Sequence, residues 1–155
     1  MTMTATVQSY LENNNIPYEV IPHNMTTTSV CTAQSAHVDV EKVAKPVILE
    51  DDIGFLMAIV PANKHVKIGR LNQILNRHMG LTTEEELRGL FYDCTLGAIP
   101  PLASAYNMQC IVDDDLLQCD DVYFESGNHK ELIHIKGEDF QRIMRGAPHS
   151  HICLH

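Results

Sequence analysis

Apolar positions along the 155-residue chain change their spacing from segment to segment, and the spacing predicts the elements. Val7, Tyr10 and Leu11 recur at helical intervals, which predicts a first helix stopping at Asn13-Asn14-Asn15, with Pro17 barring its continuation. Tyr18-Glu19-Val20-Ile21 reads as a short strand closed by Pro22. Thr26-Thr27-Thr28 offers hydroxyls to cap a helix over 29–36, and Asp39 offers a cap to a brief turn. Two apolar runs follow, Ala44-Lys45-Pro46-Val47-Ile48-Leu49 and Gly54-Phe55-Leu56-Met57-Ala58-Ile59-Val60-Pro61, separated by acidic Glu50-Asp51-Asp52. Being continuous rather than alternating, they predict a hairpin whose strands are covered on both faces.

Ile68, Leu71, Ile74 and Leu75 mark one face of a helix over 68–77. Thr83 with Glu86 matches a capping box ahead of Leu87, Leu90 and Phe91. The stretch 91–104 is irregular. Strands are predicted over 108–112, 122–125 and 131–135. The last two are joined by Ser126-Gly127-Asn128-His129-Lys130, in which Gly127 and Asn128 suit positive φ and His129 is expected to be exposed. A helix over 138–145 closes the pattern. Strands and helices do not alternate strictly, so the expected fold is α+β: a mixed, mostly antiparallel sheet curled toward a barrel, with helices outside. With no repeat and no linker, one domain is expected over 1–148. Residues 149–155 form a tail whose His149, His151, Cys153 and His155 read as a frayed end.

Composition narrows the function classes. Forty-five per cent apolar and 20% charged residues suit a folded core. No apolar run is long enough to span a bilayer, and the N-terminus has no signal-peptide pattern. Five cysteines, an odd count without a Cys-x-x-Cys pair, predict reduced thiols in a cytoplasm and no metal site. A net charge of −9 argues against binding bulk nucleic acid, DNA included. The charge is uneven, though. Between Pro61 and Gly80 lie Lys64, Lys67, Arg70, Arg77, His65 and His78 without one acid, a segment able to steer a phosphate-bearing end.

Two features point to chemistry. Lys45 opens a buried strand, where an ammonium must reach water, meet an anion or lower its pKa. Snorkelling along its stem is the ordinary solution. The loop Gly97-Ala98-Ile99-Pro100-Pro101 joins a flexible glycine to two prolines that fix φ and lack amide hydrogens. The amides of Gly97, Ala98 and Ile99 then stand as preorganised donors for a developing oxyanion. Thr28, Cys31 and Met57 are candidates for a small pocket near Lys45, although all three suit the core as easily and Met57, inside a strand, suits it better.

These motifs occur in a fixed order: the strand-opening Lys45, Val60-Pro61-Ala62, the Gly97–Pro101 loop, Val112-Asp113-Asp114-Asp115-Leu116-Leu117 and Ser126-Gly127-Asn128-His129. In that order the chain resembles, from about residue 18 to 145, the YbaK or prolyl-tRNA-synthetase-associated editing domains. The resemblance implies hydrolysis of the ester joining a mischarged amino acid to the terminal adenosine of tRNA. It implies that Lys45 anchors the terminal nucleotide and ester, and that the loop presents amides to the carbonyl while Pro100 and Pro101 limit the pocket. His129 matches a position held by histidine or serine in relatives. Water or the substrate's 2′-hydroxyl attacks, and no metal or other cofactor is expected. Relatives carry a small polar residue after the lysine, whereas Pro46 stands here, which bears on the amino acid chosen. The implied partner is the acceptor end of an aminoacyl-tRNA, an aminoacyl-tRNA synthetase being a further one. A non-catalytic module that binds aminoacyl-adenosine or a synthetase stays open as an alternative, and so does a metal-dependent hydrolase built on the histidine-rich tail.

Overall fold

The two continuous apolar runs lie at the centre of the molecule because each has two faces to bury. A computed structural model describes residues 3–23 and 29–154, side chains of 29–31 and 154 excepted. In it the runs are strands β2 (Ala44–Glu50) and β3 (Phe55–Pro61), paired antiparallel from Ala44 opposite Pro61 to Glu50 opposite Phe55. Ala44, Ile48, Met57 and Ile59 enter the main core with Phe91, Phe124 and Phe140. Leu49, Leu56, Ala58 and Val60 enter a second core with Leu71, Ile111 and Ile152. Each large side chain so buried contributes roughly 1.5–3 kcal/mol.

Around this hairpin the sheet runs β5 (Gly80–Leu81), β2, β3, β6 (Gln109–Asp113), β9 (His149–Ser150), with β3–β6 and β6–β9 parallel. A second sheet has the order β1 (Glu19–Pro22), β8 (Glu131–Lys136), β7 (Asp121–Glu125), all antiparallel. A third pairs β4 (His65–Val66) with β10 (Cys153–Leu154). The fold is α+β with mixed, mostly antiparallel sheets, as the pattern predicts. Among the described residues the strands form these separate sheets and close no barrel. The first two sheets touch at one parallel bridge, Val43 to Tyr123.

The helices are α1 (Ala5–Asn13), α2 (Ser29–Ala36), α3 (Ile68–Leu75), α4 (Glu84–Leu90), α5 (Asp114–Leu117) and α6 (Gly137–Ile143). The capping box of α4 forms as predicted, Thr83 accepting from the Glu86 amide while the Glu86 carboxylate reaches back. Helix α3 is shorter than the predicted 68–77 because Asn76 turns left-handed at φ 54°. Asp39 does precede a single 3-10 turn, but its side chain makes no capping hydrogen bond.

The tail corrects the expectation of a frayed end. His149 and Ser150 pair with β6, Cys153 and Leu154 pair with β4, and Ile152 is fully buried between them. The buried Asp113 carboxylate accepts the Ile152 amide at 3.0 Å and the Asp115 amide at 2.9 Å, so it caps α5 and pins the C-terminal segment together. His155 lies outside the described residues.

Candidate active site where two sheets part

From the Val43–Tyr123 bridge, β2 and β7 leave in the same direction and separate. Lys45 and Glu125 follow on the two strands, each one pleat beyond the bridge and on the same face as the bridging residue. Among the described residues, the edge of β2 away from β3 is covered by that bridge, by β5 at Leu49 and Glu50, and by the Thr82 amide donating to the Ile48 carbonyl at 3.2 Å. Pro46 falls in the uncovered stretch between, which is where a strand proline is tolerated.

Lys45 is half-buried. Its pKa is lowered, foremost by desolvation, against a smaller opposing effect of Cys153. Among the described residues it makes no ion pair. The two-residue pleat puts it on the face of Val43, Val47 and Leu49, opposite Val60. Met57 pairs with Ile48 on the other face and is fully buried in the main core. Met57 is thus a core side chain, the better of its two expected readings, and its pocket candidacy is corrected. Thr28 and the Cys31 side chain lie outside the described residues.

The β7–β8 hairpin is tied to the segment before the two prolines. The Thr95 amide donates to the Gly127 carbonyl at 2.7 Å, and His129 Nε2 lies 2.5 Å from the Leu96 carbonyl. Because a carbonyl only accepts, Nε2 carries the hydrogen. His129 is 6% exposed at φ 62°, which corrects the expected exposed turn. Positive φ falls on Gly127 (103°) and His129, not on Asn128. A Cβ on Gly127 would also come within 2.4 Å of the Thr4 methyl, so this position needs glycine twice over. Asn128 instead organises the turn, its Oδ1 accepting from the Ser126 hydroxyl at 3.0 Å and the Lys130 amide at 2.9 Å.

The loop itself needs one correction. Gly97 is exposed at φ 87°, and Ala98, Ile99, Pro100 and Pro101 are buried. The Ala98 amide, expected to be available, donates to the Thr95 carbonyl at 3.0 Å. The Gly97 and Ile99 amides have no acceptor among the described residues. Two of the three expected donors remain.

Two residues went unremarked in the sequence. Glu125 is 2% exposed, its two carboxylate oxygens make no hydrogen bond of normal geometry, and burial pushes its pKa up to about 7 against a weaker opposing contribution from Thr32. His23 Nε2 stands 3.9 Å from that carboxylate, and the His23 amide donates to the Lys130 carbonyl at 2.8 Å. No spacing distinguishes Glu125 from other acids at strand ends, so the sequence carries no cue to it.

The basic segment is also less free than its composition suggests. Lys64 is paired with Asp115, and Arg77 grips Asp51 with Nε at 2.6 Å and a second nitrogen at 2.5 Å, holding that carboxyl well below the usual range. Lys67 and Arg70 are exposed, with no carboxylate partner among the described residues. The backbone of this segment adjoins the Lys45 end of β2, since the Ala62 amide donates to the Val43 carbonyl at 2.8 Å.

A family model described as the aminoacyl-tRNA editing domain matches residues 23–143, which take in Lys45, the diproline loop and the hairpin. The chain belongs to the aminoacyl-tRNA editing domain family. Among solved structures it is similar to a protein provisionally assigned as a trans-editing enzyme for prolyl-tRNA synthetase, with TM-score 0.83, 19% identity and coverage of 99% of this chain and 100% of that one. A hypothetical protein matches at TM-score 0.84 and 20% identity over 96% and 99% of the two chains. A Marinobacter aquaeolei VT8 protein, provisionally assigned to signal transduction, matches at TM-score 0.80 and 21% identity over 96% of this chain and 30% of its own. At these identities the likenesses show the fold. No curated protein matches the chain. Among the described residues of this editing domain, no helix is long and apolar enough to cross a membrane.

Proposed function

We propose that this editing domain is a free-standing deacylase, hydrolysing the ester of a mischarged aminoacyl-tRNA in the cytoplasm. The proposed substrate is a small amino acid on proline tRNA. What supports the reading is the half-buried Lys45 on β2, one pleat past the bridge to β7, together with the β7–β8 hairpin hydrogen-bonded to the segment just before Gly97. In the proposed reaction the Lys45 ammonium holds the terminal nucleotide and ester. The Gly97 and Ile99 amides donate to the carbonyl oxygen as it gains charge. Water, assisted by the substrate's 2′-hydroxyl, attacks the carbonyl carbon; the bond to the 3′-oxygen breaks, and that oxygen leaves with the proton the water gives up. Pro100 and Pro101 hold the loop stiff, so that the donors need no reorganisation when charge appears. Pro46 narrows the polar options beside Lys45 and so bears on which amino acid is accepted.

Purified protein is expected to release amino acid from at least one member of a panel of mischarged tRNAs. Lys45→Ala is expected to lower kcat/KM by about 10²–10³-fold, the size of one lost charge-stabilising donor, with an unchanged melting curve. Full activity in that variant overturns the mechanism. The committed Ala98 amide and Pro46 favour one second reading, a binding module without turnover. Tight binding of a non-hydrolysable aminoacyl-adenosine with no hydrolysis across the panel would select it.

A further inference from the structure

The candidate residues differ in hydrogen-bonding character. The donors are the Lys45 ammonium on β2 and the Gly97 and Ile99 amides of the loop beside the hairpin. The β7–β8 hairpin holds buried acceptors without a hydrogen bond of normal geometry. Neither Glu125 oxygen has a hydrogen bond of normal geometry, Thr32 and His23 being its neighbours, and His129 Nδ1 has no partner among the described residues, while the other ring nitrogen is held by Leu96. In the neutral ring that Nδ1 is a bare lone pair. The two groups sit four residues apart on one hairpin, and Glu125 forms no ion pair with Lys45. Buried acceptors are ordinarily satisfied, and leaving one unmatched costs about 1–3 kcal/mol, more for a charged group. Such an arrangement suits a ligand that is itself polarised, with N–H donors at one end and acceptor oxygens at the other. An α-aminoacyl ester has that form: an ammonium with three hydrogens beside a carbonyl and a nucleotide.

We infer that Glu125 binds the α-ammonium of the aminoacyl substrate, with His129 Nδ1 as a neighbouring acceptor. This rests on the editing reading and adds to it the group that separates a free aminoacyl ester from an N-blocked one. The bound ammonium brings a fixed positive charge to a buried carboxylate whose described basic neighbour is the His23 imidazole, 3.9 Å away. A peptidyl- or formyl-aminoacyl-tRNA, whose nitrogen is a neutral amide, is then rejected at the same place.

The test compares the charged tRNA that the wild type hydrolyses fastest with the same tRNA N-acetylated. Wild type is expected to prefer the free amine by about 10–100-fold in kcat/KM, the equivalent of one charge-assisted hydrogen bond. Glu125→Gln, which keeps the shape and removes the charge, is expected to lose that factor on the free amine and to change the N-acetylated rate less than about threefold. Equal wild-type rates on the two substrates overturn the inference without any variant, and leave the deacylase reading standing. An undiminished preference in folded Glu125→Gln also overturns it. Should no tRNA be hydrolysed, the deacylase reading fails instead. Binding of a 3′-aminoacylamino-adenosine and its N-acetyl form by calorimetry then decides the ammonium contact, equal affinities refuting it.

Discussion

Asp113 and Glu125 are both buried carboxylates at strand ends, 1% and 2% exposed, yet they are treated oppositely by their surroundings. Asp113 spends both oxygens on backbone amides, those of Asp115 and Ile152. Glu125 has no hydrogen bond of normal geometry on either oxygen, and burial raises its pKa to about 7 against the weaker effect of Thr32. The first belongs to architecture: it ties the C-terminal segment to the sheet. The second weakens the architecture, which is why the ammonium-binding role is proposed for it.

The comparison breaks most directly at Asp113. Asp113→Ala leaves one buried and one part-buried amide unmatched, the buried one at about 1–3 kcal/mol and the other at less, and should lower unfolding free energy by about 2–4 kcal/mol in urea. Tail proteolysis should rise with it. A loss below about 1 kcal/mol would mean that water replaces the carboxylate and that the two acids are less different than the geometry says.

Glu125→Gln should act in the other direction and depend on pH. The folded-state pKa of Glu125, about 7, lies above its ordinary value of 4.5. As pH rises past the lower value the unfolded chain gives up its proton first, while the folded chain holds one until about 7. The folded state binds more protons in that window, so wild-type stability falls through it and the fall is complete above it. The span corresponds to about 3 kcal/mol. Glutamine has no proton to lose, so the variant should match wild type near pH 4 and exceed it by up to about 3 kcal/mol at pH 8. The groups facing Glu125 are His23, at 3.9 Å, and Thr32. A parallel pH dependence in both proteins would show that His23 or another group carries it.

Much of this arrangement was legible in the sequence, and the divide between what was and was not is physical. The β2–β3 hairpin, the α4 capping box and the hairpin ending in His129 were readable because each is set by neighbours a few residues apart. The order of Lys45, the diproline loop and the Ser-Gly-Asn-His turn was readable because motif order survives without knowledge of contacts. What failed depended on distant partners. Ile152 is buried through Asp113, 39 residues away, so its segment looked like a loose end. His129 looked exposed because nothing in its turn announces the Leu96 carbonyl, 33 residues earlier. Even the Ala98 amide was lost to a bond three residues long, since Thr95 accepts it only in the turn the loop adopts. Asp113 and Glu125 are indistinguishable as letters.

The smallest expected effect carries the same contrast of matched and unmatched groups to the surface. Lys64 is already neutralised by Asp115, whereas Lys67 and Arg70 have no carboxylate partner among the described residues and lie in the segment adjoining the Lys45 end of β2. If positive charge here guides an acceptor end, only the unmatched pair has potential to offer, because the field of Lys64 is largely cancelled at its source. Reversing Lys67 and Arg70 to glutamate should slow tRNA capture at low ionic strength. It should also reduce the slope of log affinity against log salt by about 1–2, since each lost phosphate contact removes roughly 0.7–0.9. At high salt, where the screening length is about 3 Å, wild type and variant should converge. Reversing Lys64 alone should change capture little and chiefly loosen its contact with Asp115. Were Lys64 the more sensitive position in stopped-flow capture at low salt, the partnered lysine would be the guiding one, and pairing on the surface would be no guide to which charges a ligand meets.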